Sequence, residues 1–338
     1  MTWLTWRQFR VQALAGLAGL ALLAAYLVHL GLAIRGGDDA YRSRCGAGGD
    51  CARALAQYLG DYQNTLLYLA GLLALVPALL GMFWGAPLVA RELETGTHRL
   101  VWNQSVTRTR WFTVKLLAVG VATIAVSGMA SLLLTWAASP VDRLAGDRFS
   151  TIVFGARNVA PVAYAVLAFT LGTVVGLLVR RTLPAMALTV LVFTVVQFVV
   201  PNVVRPHLMP PVTVSRPMTA DAINEARGLG SITGGPVVKG LTVPGAWVSG
   251  TSELRTADGR PLAQDRFDHC FRDPPRTGAT GTFGDTAVCL ARLDLHVVLS
   301  YQPDRRYWAF QWLESAIYLA LAALLAGYGR WHVRRRVS

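Results

Sequence analysis

Six apolar runs divide this chain, and each is near or above the ~20 residues that a helix needs to cross a bilayer. They cover residues 11–34, 63–90, 113–138, 158–179, 183–204 and 308–328. In hydrocarbon the backbone can satisfy its N–H and C=O groups only internally, so uninterrupted runs of this length are read as spanning helices. A mean hydropathy of +0.41 with only 15% charged residues agrees. The expected class is an all-α membrane protein of six transmembrane helices.

The flanks add detail. Ahead of the first run, Trp3, Trp6 and Phe9 stand beside Arg7 and Arg10, which suits an interfacial elbow helix. The run that follows is too long for the apolar part of a signal peptide. Pro77 predicts a kink in the second span. Gly81 and Gly85 there, and Gly172 and Gly176 in the fourth, carry the four-residue spacing of close helix packing. Arg180 and Arg181 make a tight turn between spans four and five.

Residues 205–306 differ from the rest, with prolines, glycines, mixed charge and no long apolar run. They predict a folded insert of mixed α+β structure, splitting the chain into 1–204, 205–306 and 307–338. Within it we expect a short helix over 219–227 capped by Thr219 or Asp221. A hairpin over 247–262 should turn at Asp258-Gly259, followed by a helix over 285–293 and an extended stretch over 295–302. Tyr307, Trp308 and Trp312 form an aromatic belt at the mouth of the last span.

Six spans put both termini on one side. That side carries thirteen bases in short segments (Arg7, Arg10, five in 91–115, Arg180, Arg181 and four in the tail) against two acids, Glu92 and Glu94. The bias predicts cytoplasmic termini. All four cysteines then fall outside, where disulfides persist. Of three possible pairings, Cys45–Cys51 and Cys270–Cys289 are the local choice. A zinc site is the rival, but the spacings do not match paired Cys-x-x-Cys ligands.

Several chemistries lack their residues. Only Lys115 and Lys239 are lysine, and neither sits in a phosphate-binding GxxxxGK[ST] loop, so the chain is not its own ATPase. The histidines are scattered, with no HExxH, and no GxSxG occurs. No catalytic residue, metal site or cofactor is expected. The bases form no stripe with interleaved aromatics, so nucleic acid is not indicated.

The stretch 91–115 reads RELETGTHRLVWNQSVTRTRWFTVK. Its charge keeps it out of hydrocarbon, yet it holds the apolar anchors Leu100, Val101 and Trp102. Thr95-Gly96-Thr97 can end and restart a helix, and Ser105 or Thr107 can cap the next. These residues fit either an amphipathic docking element or a basic loop with interfacial aromatics.

The order Glu-x-Glu-Thr-Gly-Thr, then Leu100, Ser105-Val106-Thr107-Arg108 and Lys115, resembles the cytoplasmic loop of type-2 ABC exporter permeases. Family members often carry proline before the Ser/Thr-Arg pair, where this chain has Ser105-Val106. The resemblance implies a coupling helix within 91–112 that docks on a partner ATPase, through Arg91, Glu92, Glu94, Thr95, Gly96, Thr97, Leu100, Val101, Trp102, Ser105 and Arg108. Glu92 or Glu94 would meet basic residues of that ATPase. It further implies a bacterial cell-membrane protein assembled with two ATPase subunits, a second identical or related permease, and membrane lipid. The exported substrate would be a lipid, antibiotic, peptide or polysaccharide. The competing reading is a receptor or sensor anchor whose function lies in the extracellular 205–306 insert.

Glu314 stands two turns inside the sixth span, where an ionised acid is costly without water or a partner. It marks either a substrate pathway, with Gln197 and Asn202 nearby, or a carboxylate near the outer interface paired with Arg305 or Arg306. The second is the simpler expectation.

Overall fold

The computed structural model describes residues 2–97, 107–145, 148–231, 235–243 and 245–336, with side chains described from Phe9 to Arg335. Among them, six helical segments are long and apolar enough to cross a membrane. Two compact units result, one of residues 1–208 with 308–338 and one of residues 209–307.

The first unit opens with α1 (Thr2–Gly46), a single helix. The expected elbow is therefore not a separate element. Residues 2–15 contain neither glycine nor proline, so nothing interrupts the helix between the flank and the span. The helix also runs past the membrane-length segment, and α2 (Cys51–Ala74) begins after a short turn. Residues 35–62, between the first two apolar runs, are thus mostly helical. Tyr58 and Tyr62 hydroxyls donate to the carbonyls of Ile34 and Ala33, at 3.3 and 3.2 Å. The Cys45–Cys51 disulfide closes the tip with Cα atoms 4.9 Å apart, and the Asp50 side chain caps α2 by accepting from the Arg53 amide.

In the second span, where Pro77 predicts a kink, the regular α-helix is interrupted. The span passes from α2 through α3 (Val76–Leu80) and a π-helical turn (Gly81–Gly85) into α4 (Ala86–Glu94). The third span is α5 (Arg108–Ala145), longer than expected because it continues through Pro140. Proline removes the amide that would bond the Trp136 carbonyl. That carbonyl instead accepts from Arg35 Nη2 at 2.8 Å and Ser139 Oγ at 3.0 Å. Then come α6 (Thr151–Ala156), α7 (Ala160–Val179), α8 (Thr182–Val199), a second π turn (Val200–Val204) and, after the other unit, α12 (Tyr307–Arg336). Arg180, at φ 57°, makes the turn between α7 and α8.

Helix α7 lies at the centre, buried along most of its length. Its glycines explain how. A Cβ added at Gly172 would stand 2.3 Å from the Gly81 carbonyl oxygen, and one at Gly176 2.4 Å from that of Ala86. Reciprocally, a Cβ added at Gly81 or Gly85 would stand 2.6 or 2.5 Å from the carbonyl oxygen of Ala168 or Phe169. The glycine pairs interlock within one chain.

In the second unit, β1 (Val212–Pro217), β5 (His296–Pro303) and β4 (Ala246–Thr251) form an antiparallel sheet in the order β1-β5-β4. A smaller ladder pairs β2 (Gly228–Ser231) with β3 (Pro236–Lys239). Three short helices complete it: α9 (Ala220–Asn224), α10 (Gln264–Arg272) and α11 (Gly284–Ala291). Thr219 caps α9, as expected. The core gathers Ile223, Val238, Leu254, Phe267, Leu290, Val297 and Leu299. The Cys270–Cys289 disulfide joins α10 to α11. The expected hairpin is smaller than 247–262. Its turn forms, with Gly259 at φ 78° and the Thr256 amide on the Arg260 carbonyl. However, β4 pairs with β5, whose buried Val297 and Leu299 make it the central strand. Asp285 accepts from the Thr277 and Ala279 amides and the Thr277 hydroxyl, which hold its carboxyl below the usual range.

Because backbone cannot yield as a side-chain tip can, Gly172→Val should lower stability by about 3 kcal/mol, the upper end of the usual cost of overpacking. Gly71→Ala, where an added Cβ meets nothing within 4 Å, should not. Thermal unfolding in detergent compares the two.

Candidate functional site

Two clusters in the first unit gather residues singled out by sequence. The first lies at the base of the 91–115 stretch. Helix α4 ends at Glu94, and Gly96 takes φ 73°, a conformation that favours glycine. Thr95 Oγ1 donates back to the Arg91 carbonyl at 2.9 Å. Across the gap, Thr107 Oγ1 accepts from the Arg110 amide at 3.3 Å and starts α5.

Glu92 does not face outward. It is 6% exposed, with Oε1 2.5 Å from Lys115 Nζ and Oε2 accepting from Trp111 Nε1 at 2.9 Å. The ammonium also lies 5.2 Å from the centre of the Trp111 ring. Helix periodicity places Glu92 on the inner face with the buried Val89, and Lys115 on that of Trp111 and Phe112. Glu94 is exposed but engaged: its Oε2 accepts from the Thr182 amide and hydroxyl, at 2.9 and 2.6 Å. It thereby satisfies an unpaired donor at the start of α8. Of the two acids expected to offer one carboxylate to a partner's bases, Glu92 is buried with its carboxylate engaged by two internal donors, and Glu94 stays exposed. Arg91 is exposed. Leu100, Val101, Trp102 and Ser105 lie outside the described residues.

The second cluster surrounds Glu314. Both Glu314 and Arg205 have fully buried side chains. Arg205 Nε and Nη2 donate to the two carboxylate oxygens at 2.6 and 3.0 Å, the bidentate fork that guanidinium geometry favours. The Tyr164 hydroxyl donates to the same carboxylate, and the guanidinium carbon sits 4.0 Å from the Phe154 ring centre. Tyr318 packs against Tyr164, ring centres 4.3 Å apart and tilted by 44°, and donates to Gln197 Oε1 at 3.2 Å. Nearby, Gln311 Oε1 accepts from the Ala160 amide and its Nε2 donates to the Phe154 carbonyl. Spans four, five and six are tied at one place.

Glu314 is thus paired with Arg205, not with Arg305 or Arg306. Gln197 joins through Tyr318. Asn202 does not, because its side-chain amide is exposed and donates to the Phe198 carbonyl one turn back. Sequence reading missed Arg205, assigned to the start of the insert, and Tyr164. A signal was present: an arginine immediately after an apolar run needs an acid, and the next span holds only one.

In the second unit, His269 lies with the sulfurs of Cys270 and Cys289, their ligand atoms within 4.8 Å of one another. Both thiols are consumed by the disulfide, which leaves no thiolate for a metal.

Removing one member of a buried pair strands the other charge. Glu314→Ala should cost about 3–5 kcal/mol, whereas Arg205→Met with Glu314→Leu should recover most of that loss. Thermal unfolding of the single and double variants measures the difference.

Compared with known proteins, the chain matches a family model described as ABC-2 membrane transporter related over residues 17–205. No curated protein and no solved structure matches it.

Proposed function

The chain belongs to the ABC-2 membrane transporter related family, and on that premise we propose that it is the membrane half of an ABC exporter driven by a separate ATPase. As a multi-pass permease of this family it is a transport component and not itself the catalyst. The finer reading concerns how force enters it. Stretch 91–112 is the docking element, with Leu100, Val101 and Trp102 filling a cleft on the ATPase and Arg91, Ser105 and Arg108 at its rim.

One observation supports this assignment above the others. The segment is bracketed by short-range ties to three spans: Glu92 of α4 to Lys115 and Trp111 of α5, and Glu94 to the first residue of α8. A displacement of the segment therefore moves spans two, three and five together. In this reading Glu92 and Glu94 brace the docking element, and Thr95, Gly96 and Thr97 form its hinge. A simple basic loop would not need a buried ion pair at its base, where removing charges from water is costly. Two ATPase copies and a second permease, identical or related, complete the assembly.

The Glu314 cluster belongs to the same reading as a closure of the pathway. Its acid is held by Arg205 and Tyr164, so spans four and six would have to separate for Glu314 to reach a passing substrate. Lipid, antibiotic, peptide and polysaccharide all remain within the substrate class.

Sidedness follows from the arginine bias: termini and the 91–112 stretch in the cytoplasm, and residues 205–306 outside a bacterial cell. Cysteines introduced at Ser105 and Ser338 in a cysteine-free background should label only after permeabilisation, and one at Ser252 from outside. External labelling at Ser105 would overturn both the topology and the docking.

Truncating a buried aromatic anchor costs about 2 kcal/mol or more at an interface. Trp102→Ala with Val101→Asp should therefore leave the protein inserted while export fails and the ATPase no longer copurifies. An aspartate at Ser139 should do neither. Wild-type export by the double variant would sink the docking role, and failure of any ATPase to copurify with the unaltered protein would favour a receptor anchor.

A further inference from the structure

Arg157 is 3% exposed, and its guanidinium is only partly used. Nη1 donates to Asp142 Oδ1, but Nε is buried with no hydrogen-bond partner among the described residues. A buried N–H left bare forfeits its hydration without return, and more so on a charged group. Arg157 also lines a cavity of about 70 Å³, so room for an acceptor lies beside it.

Three elements wall this cavity, each with one face. Helix α2 contributes Gln63 and Leu67, α5 contributes Asp142 and Ala145, and α6 contributes Val153 and, just past its end, Arg157. Spacings of three or four residues share a helix face. Gln63 and Leu67 are exposed, so the cavity opens past them. Gln63 begins the second apolar run and Asp142 stands four residues beyond the third. The mouth therefore lies at the depth of lipid head groups, at the end of these spans away from the 91–115 stretch. The polar groups around it differ in kind. Arg157 Nε offers a donor, the second Asp142 oxygen an acceptor, and the Gln63 amide one of each. The rest of the lining is apolar.

We propose that this cavity binds a neutral, hydroxyl-bearing group, a vicinal diol such as the edge of a sugar ring or the glycerol head of a phospholipid. One hydroxyl can accept from Arg157 Nε and donate to Asp142, and its neighbour can meet the Gln63 amide. An anion does not suit the site, because Asp142 already neutralises Arg157 and lines the same space. A cation would leave Nε bare. An apolar group would cover polar side chains without pairing them. At roughly 10–15 Å³ for each water-sized centre, the volume holds about five non-hydrogen atoms, the size of a diol with its carbons. Water meets the same partners, and the test separates the two. The site stands on the fold of the membrane unit and is independent of the ATPase reading.

The test uses full-length protein in lauryldimethylamine oxide, a detergent without hydroxyl groups. Saturation-transfer NMR with methyl glucoside reads a free sugar. Native mass spectrometry with phosphatidylglycerol, phosphatidylethanolamine and phosphatidic acid reads a lipid head group. Binding of methyl glucoside alone assigns the diol to a sugar, and selective retention of phosphatidylglycerol over the other two lipids assigns it to a head group. Arg157→Lys keeps a charge for Asp142 but deletes Nε, and should weaken whichever probe binds about tenfold, the loss of one hydrogen bond to a charged group. Ala145→Leu fills the cavity from the opposite wall and should do the same if the lysine variant does not insert. Asn202→Leu, outside the cavity, should leave binding unchanged. Neither probe binding, which means solvent only, would overturn the proposal. So would phosphatidic acid retained as well as phosphatidylglycerol, or binding that neither cavity variant weakens.

Discussion

The fold of the membrane unit depends on backbone-to-backbone contact along α7. Between helices in hydrocarbon there is little hydrophobic drive, because the lipid is as apolar as leucine. What remains is dispersion, which falls off within an ångström of optimal contact. Four glycines at two matching spacings let α7 approach the π turn and α4 until carbonyl oxygens sit where side chains would otherwise be. Helices α1, α5 and α8 by contrast present leucines and valines outward. They are arranged around this contact and do not create it.

Charge then fixes what packing leaves free. Glu92–Lys115, Arg205–Glu314 and Arg157–Asp142 join parts of the chain distant from one another or on different helices, with at least one partner deeply buried in each. Such pairs add little net stability once desolvation is counted, but they make alternative arrangements expensive. A slide of α12 by one turn against α7 and α8 would leave two charges buried and unpaired. Glycine contacts decide how close the helices come, and the ion pairs decide their register.

Much of this was legible in the sequence because it depends on local properties. Apolar length marked the six spans, Pro77 the interruption in the second, and the glycine spacing the packing faces. Local cysteine spacing predicted the disulfides, and Thr219 its cap. What escaped reading was set by contacts far along the chain. The partner of Glu314 lies 109 residues away, and only the order of the spans, an arginine closing one apolar run and a lone acid inside the next, hints at it. Glu92 looked available because its neighbours are charged, yet helical phase turns it inward. Helices α1 and α5 outran their apolar runs because helix formation does not stop where hydrophobicity stops. Through Pro140, the missing bond was replaced by Arg35, 101 residues away from the carbonyl it serves.

The π turn at Val200–Val204 shows how local chemistry can aim a long-range contact. Pro201 cannot donate a backbone hydrogen bond, so the ladder of α8 loses a rung at that point. The turn widens, and the Arg205 amide reaches back to the Val200 carbonyl, five residues earlier instead of four. One additional residue per turn is worth about 100° of rotation about the helix axis. In a regular α-helix Arg205 would follow its predecessors around by that amount and point away from its observed direction. With the wider turn, the last residue of the fifth span meets Glu314, and the guanidinium rests on Phe154. The π turn at Gly81–Gly85, after Pro77, likewise lies where the second span contacts α7. In both spans a proline precedes or opens the widened turn, and the widened turn carries the contact.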